Sequence, residues 1–124
     1  AFTATDTDLQ SVEMDGSLTQ TPEFPYNWMY DGTTPQMPGF EMEITCKALF
    51  LIFKDSGETD AGKANVFVND AYCMTADPHK NNWLHCNATL LFSEKESRSH
   101  KIRITVTEED RNKKFTILGF GYTI

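Results

Sequence analysis

Apolar residues recur at every second position through much of this chain, and that period restricts its fold more than any other feature. In FEMEITCK, residues 40–47, Phe40, Met42, Ile44 and Cys46 share one face, and Glu41, Glu43, Thr45 and Lys47 share the other. HKIRITVTE, residues 100–108, repeats the pattern with Ile102, Ile104 and Val106 inward and Lys101, Arg103, Thr105 and Thr107 outward. Side chains alternate across a strand, so these segments predict strands with one wet face, as in an antiparallel sheet packed on a single core. ALFLIFKD (48–55) and FTILGFGYTI (115–124) are apolar on both faces, which predicts strands in the middle of a sandwich or covered at a domain interface. A helix needs apolar residues at i, i+3 and i+4 over about ten or more positions, and no window offers them. EEDRNKK (108–114) has room for one turn at most.

The connections have their own chemistry. KDSGETDAGK (54–63) holds two glycines and little to bury, so it reads as a loop. ANVFVNDAYCMT (64–75) reads as a hairpin turning at Asn69-Asp70, because both residues tolerate positive φ at the centre of a tight turn. SEKESRS (93–99) and EEDRNKK are charged connections that isolate the last two strands. The N-terminal part differs. TATDTDLQSVEMDGSLTQT (3–21) is dominated by Thr, Ser, Asp and Gln, with room for one strand at Leu9 to Met14. PEFPYNWMYDGTTPQMPG (22–39) then packs four prolines around Phe24, Tyr26, Trp28 and Tyr30. Prolines at this density exclude a helix and a central strand, so residues 1–38 are expected to form an irregular edge segment packed on the sandwich. About seven to nine short strands joined by polar turns predict an all-β, antiparallel β-sandwich of the jelly-roll type.

With 124 residues the chain is the size of a single domain, 1–124, able to bury a core without staples. Eleven basic residues against 18 acidic give a formal charge of -7, and Lys101, Arg103, Arg111, Lys113 and Lys114 are interrupted by Glu108, Glu109 and Asp110. Polyanions would be repelled, so nucleic acid and anionic membrane surfaces are not expected partners. The longest apolar run, ALFLIF at 48–53, is strand-sized and far short of the roughly 18 residues that span a bilayer. AFTATDTDLQ shows neither an initiator Met nor a signal peptide, and the expectation is a module excised from a larger protein. Cys46, Cys73 and Cys86 allow at most one internal disulfide. Cys73 and Cys86 flank the loop that carries Trp83 and could bridge it, or all three thiols could be small apolar fillers.

Catalytic patterns are missing. Ser56 lies in KDSGE, where Lys54 stands in place of the glycine of a Gly-Asp-Ser nucleophile motif, and no Asp-x-x-His follows near the C-terminus. His100 opens a strand and reads as a strand-end residue near solvent. Cys73, Asp77, His79, His85 and Cys86 cluster in sequence, yet their spacing matches no zinc finger or ribbon, and DSGETD (55–60) lacks the ligand spacing of a calcium loop. No metal and no cofactor is expected. What remains is aromatic: Tyr26, Trp28, Tyr30 and Trp83 lie in loop-like sequence beside Asp31, His79 and Asn82. Sugar rings present a C–H face and a rim of hydroxyls, so flat π surfaces next to Asn, Asp and His suit them. The same aromatics could instead plug the end of the sandwich.

Three stretches carry a family resemblance: ANVFVNDAYCMT, NNWLHCNATLLF (81–92) and SHKIRITVTEEDRNKKFTILGFGYTI (99–124). Over about residues 39–124 the chain resembles an accessory β-sandwich module found beside SGNH/GDSL-type carbohydrate esterases and other, cellulosomal, polysaccharide-degrading enzymes of fibre-digesting gut bacteria. It departs from that pattern at Asn69-Asp70, where the family tends to have Asp-Gly, and it has none of the catalytic esterase blocks. The resemblance therefore implies the accessory sandwich and no enzyme. By position, Trp83 is the residue such modules hold on an exposed loop, toward a glycan or toward the attached catalytic domain. The resulting expectation is a secreted, monomeric carbohydrate-binding module, tethered to a catalytic module, that recognises plant cell-wall polysaccharide of the β-glucan, xylan or mannan class. Trp83 and Trp28 would stack on sugar rings, Tyr26 and Tyr30 would extend the platform, and Asn82, Asp31 and His79 would bond hydroxyls. The alternatives are a structural accessory domain of an esterase that binds no glycan alone, and a protein-binding adhesion or scaffold module.

Overall fold

The computed structural model describes residues 2–6, 10–12, 18–22, 26–33, 39–80 and 86–124. Eight strands are formed there: β1 (Gln10–Val12), β2 (Leu18–Pro22), β3 (Trp28–Tyr30), β4 (Phe40–Lys54), β5 (Ala64–Val68), β6 (Ala71–Ala76), β7 (Cys86–Val106) and β8 (Phe115–Thr123). β1 and β2 pair with each other, and the other six form one sheet in the order β3-β8-β4-β7-β5-β6. All strand pairings are antiparallel. The all-β antiparallel sandwich expected from the alternation is the architecture observed.

Its construction was not foreseen. FEMEITCK and ALFLIFK are the two parts of one 15-residue strand, β4, and the charged SEKESRS lies inside the 21-residue β7. The register explains both. Cys46 pairs with Arg98, but Ala48 pairs with Ser93, so Lys47 is the extra residue on β4 and residues 94–97 are extra on β7. A bulge of this kind bends both strands sharply. The bend is demonstrated by Phe40 and Phe120, whose rings stack at 5.7 Å although Phe120 is the register partner of Leu51. Eleven extended residues would separate Phe40 from Leu51 by about 36 Å. The sheet is therefore folded over at the bulge. One leaf contains β6, β5, the later half of β7 and the earlier half of β4. The other contains the earlier half of β7, the later half of β4, β8 and β3. The expectation that SEKESRS separates two strands is corrected: its charges ride on the exposed corner of a continuous strand.

The bulge also changes which residues face inward. Cys46 is buried on one side of it and Leu49, Leu51 and Phe53 on the other, an even-to-odd switch that keeps one face on the core around the corner. Ile102, Ile104 and Val66 fill the facing leaf, and Phe53 stacks on Phe115 at 5.6 Å. Phe2 closes the core, edge-on to Phe40 and Phe115 at 6.2 and 6.5 Å.

Asn69 and Asp70 adopt φ of 52° and 66°, the double left-handed conformation of the tight hairpin expected there. Glu108–Asp110 form a single 3-10 turn. His100 is corrected from a strand-end residue near solvent to a buried one. The bulge brings Glu94 to 2.6 Å from its Nε2, the hairpin turn brings Asn69 Nδ2 to 2.9 Å from its Nδ1, and Phe92 packs 4.2 Å from the ring. Asn69 Oδ1 is already accepting from the Lys101 N–H, so Nδ2 must be the donor toward the ring. That leaves Nδ1 as acceptor and Nε2–H as donor to Glu94, one tautomer tying turn and corner together.

Candidate functional site

Alternation along β3 puts Trp28 and Tyr30 on the same, inward side, opposite Ile117 and Phe115 of β8. Their depths differ. Tyr30 is 2% exposed and its hydroxyl donates to the Arg111 carbonyl, so the expectation that it extends an exposed platform is corrected: it lies over Phe115, closed in by Phe2 at 6.0 Å. Trp28 comes earlier on the strand, where the fold of the sheet leaves the leaves open, and is 41% exposed. Its indole rests on Phe40 at 5.4 Å and Phe120 at 6.3 Å, tilted to both. Since Phe40 and Phe120 are themselves stacked, Trp28 is held from behind by two rings while part of it meets water. Tyr26, two residues earlier, is 88% exposed. Tyr122 lies two residues beyond Phe120 and therefore on the same face of β8, and is 56% exposed. An open aromatic edge thus runs from Trp28 past Phe120 toward Tyr122, with the exposed Tyr26 two residues before Trp28 in the chain.

Tyr122 was hidden in the sequence because FTILGFGYTI reads as a strand covered on both faces. Its one visible signal is that the hydroxyl-bearing ring comes last in the run. Tyr72 is a further exposed ring, set edge-on to Phe67 on the outside of the other leaf, its hydroxyl bonded to Thr75.

The polar residues expected beside the aromatics serve other bonds. Asp31 Oδ1 accepts from the Thr33 N–H at 2.9 Å and the Thr33 hydroxyl at 2.8 Å, which closes a local turn. Gly32 in that turn has φ of 85°, and a Cβ there would come within 2.6 Å of the Asn112 carbonyl, so the turn packs directly on the 111–114 connection. His79 Nε2 lies 2.8 Å from the Ala61 carbonyl, and its N–H donates to Asp77, which ties it to the loop before β5 rather than to the aromatic edge. Trp83 and Asn82, expected to stack and to bond hydroxyls, lie outside the described residues.

No protein-family model and no curated protein matches this chain. Among solved structures, an acetyl xylan esterase (Est2A) from the rumen bacterium Butyrivibrio proteoclasticus is similar at 15% sequence identity and a TM-score of 0.48. The similarity covers 66% of this chain and 22% of that one, so the chain spans under a quarter of the esterase.

No disulfide joins Cys46, Cys73 and Cys86. Geometry forbids the bridge across the Trp83 loop. Cys73 Sγ donates to the Leu91 carbonyl at 3.6 Å, whereas Cys86 begins β7 five residues earlier, about 16 Å away along a strand. Burial raises the Cys73 pKa, and burial followed by the Glu94 charge raises that of Cys46. Both sulfurs are kept as thiols at neutral pH, a poor state for a nucleophile or a metal ligand. In a thiol-reactivity experiment at pH 7, the fully buried Cys46 is expected to react only as fast as the protein unfolds. Immediate reaction of Cys46 in the native protein would contradict this.

Proposed function

We propose that this chain is a non-catalytic carbohydrate-binding module that recognises plant cell-wall polysaccharide, of the β-glucan, xylan or mannan class, by aromatic stacking. The observation that carries this reading is the Trp28 indole, part exposed and braced by Phe40 and Phe120, with the exposed Tyr26 two residues away in the chain. A ring fixed before the ligand arrives loses little conformational freedom on binding, so stacking against a sugar C–H face contributes nearly its full worth. Tyr122 replaces Tyr30 in the platform, and Trp83 adds a second stacking ring. The module acts outside the cell as a monomer, tethered to a catalytic partner.

A second reading, a structural domain docked on a neighbouring catalytic module, is favoured by the outside of the Trp28-bearing leaf. There Phe50 and Leu90 are register partners, 41% and 49% exposed, next to Ile52 and Ala88. The corresponding surface of the other leaf carries Glu41, Glu43, Lys101 and Arg103.

Affinity electrophoresis against soluble glucans, xylans and mannans separates the two. Carbohydrate binding predicts retarded migration on at least one of them, with Kd from about 10 μM to 1 mM. Trp28→Ala, with an unchanged circular dichroism spectrum, is expected to weaken it by about five- to thirtyfold, the equivalent of about 1–2 kcal/mol. A blank panel, or Trp28→Ala migrating as wild type on the retarding polysaccharide, would leave the docking reading in its place.

A further inference from the structure

Met29 points away from Trp28 and Tyr30, because it is the alternate residue of β3, and on that outer side the structure has a second concavity, a polar cleft of ≈ 220 Å³. Each wall is fixed by backbone pairing. Ala4 and Met29 exchange both N–H···O bonds, at 3.1 and 2.9 Å, which brings Thr5 and Asp6 to the rim. The loop before β5 forms the opposite wall, locked by Lys114 N–H to Asp60 O at 2.7 Å and Gly62 N–H to Lys114 O at 2.8 Å. Lys54, the last residue of β4, lies at the back.

The charges in the cleft are paired and held. Lys54 Nζ lies 3.1 Å from Asp6 Oδ2 and 3.0 Å from Glu58 Oε1, and Lys114 Nζ lies 3.2 Å from Asp60 Oδ2. Thr116 donates to Asp6 Oδ2 at 2.8 Å, and the buried Asn27 side chain clamps the Asp6 backbone, accepting from its N–H at 2.8 Å and donating to its carbonyl at 3.0 Å. Burying an ion pair costs desolvation energy that an apolar pair would avoid, so a fully braced one at the back of an open cleft calls for a reason beyond stability.

The pairing restricts what can enter. An anion such as phosphate meets the carboxylates of Asp6, Glu58 and Asp60, a cation meets two ammonium groups, and an apolar ligand would strip water from all five charges. A hydroxyl suits each pair, because one oxygen accepts from the ammonium while its hydrogen goes to the carboxylate. Lys54–Glu58 and Lys114–Asp60 offer two such pairs in one cleft. We propose that the cleft binds one ring of a neutral saccharide through adjacent hydroxyl groups, as a second site on the opposite face of β3 from Trp28. The ligand class follows from the ion pairs, so this site stands whether or not the aromatic edge binds glycan.

Titration of the ¹⁵N-labelled chain with glucose, xylose and mannose, followed by amide shifts, tests it. Saturable shifts are expected at Asp60, Lys114 and Thr116 with millimolar Kd, and glucuronate should bind more weakly than glucose. Lys114→Ala, at a half-exposed position that leaves the core intact, should weaken binding by about five- to tenfold through loss of a charged hydrogen bond. Asp60→Asn provides the same test from the other partner. Trp28→Ala should leave the cleft shifts unchanged. The proposal is overturned by the absence of saturable shifts at these amides with all three sugars. Binding that is indifferent to both cleft variants, tighter binding of glucuronate, or cleft shifts that disappear in Trp28→Ala would overturn it as well.

Discussion

Phe115→Ala is expected to lower the unfolding free energy by about 3–5 kcal/mol, enough to remove much of the roughly 5–15 kcal/mol that holds a domain of this size. Phe115 is 2% exposed and opens β8 opposite Tyr30. It stacks on Phe53 and meets Phe2 edge-on, so one truncation removes ring contacts to two elements and leaves a void between them. Its neighbours are strand residues locked in ladders, which collapse poorly into a cavity. Urea denaturation followed by tryptophan fluorescence measures the loss, with an unchanged m-value showing that the unfolding transition is otherwise the same. A loss below about 1 kcal/mol would mean that the site closes up, and that Phe115 is not packed between Phe53 and Phe2 as described.

Lys54→Met is the other large effect, expected at about 3–5 kcal/mol because it leaves the Asp6 carboxylate buried without its cation. Asp6→Leu combined with Lys54→Met should recover most of that loss, since a matched apolar pair avoids the desolvation of both charges. If the double variant is no better than the single, the coupling is absent. The pair also gives a defined pH dependence. Burial acts to lower the Lys54 pKa, but the Glu58 and Asp6 hydrogen bonds and charges outweigh it, and the ammonium is held above its ordinary 10.5. The folded state therefore binds this proton more tightly than the unfolded chain does. Its contribution is complete below the ordinary lysine range and is lost as pH rises through the higher folded value. The stability difference between wild type and Lys54→Met should thus be flat from about pH 7 to 10 and shrink at higher pH. A difference that grows with alkalinity would reverse the assignment.

The candidate aromatic site was only partly readable from sequence, and the reason lies in β3. Tyr26, Trp28 and Tyr30 look equivalent in PEFPYNWMYDG, each a ring in a polar, proline-bounded stretch. Nothing in the residues themselves distinguishes them. Their exposures of 88%, 41% and 2% follow from how far each lies from the place where Phe2 and Phe115 close the core. Tyr122 was missed for the converse reason: it sits in an apolar run, and only the open edge of the folded sheet leaves its ring in water. The polar cleft was invisible in the same way. Lys54 and Glu58 are four residues apart, but Asp6 and Lys114 come from opposite ends of the chain, and no local pattern relates them to that pair.

Local chemistry settles local features, and here it did so without any knowledge of the tertiary fold. Period two in FEMEITCK and HKIRITV specifies strands, because alternate side chains of an extended chain must face opposite ways. Asn69-Asp70 specifies a tight turn, because both residues accept positive φ. The doubled-over sheet depends on a register slip between two strands that meet from distant parts of the sequence. Cys46 with Arg98 and Ala48 with Ser93 is a relation between partners, and neither strand alone contains it. That slip turns one long sheet into two leaves, buries His100, and opens the edge where Trp28 stands. Long-range pairing decides such features, since their energy exists only once both partners are in place.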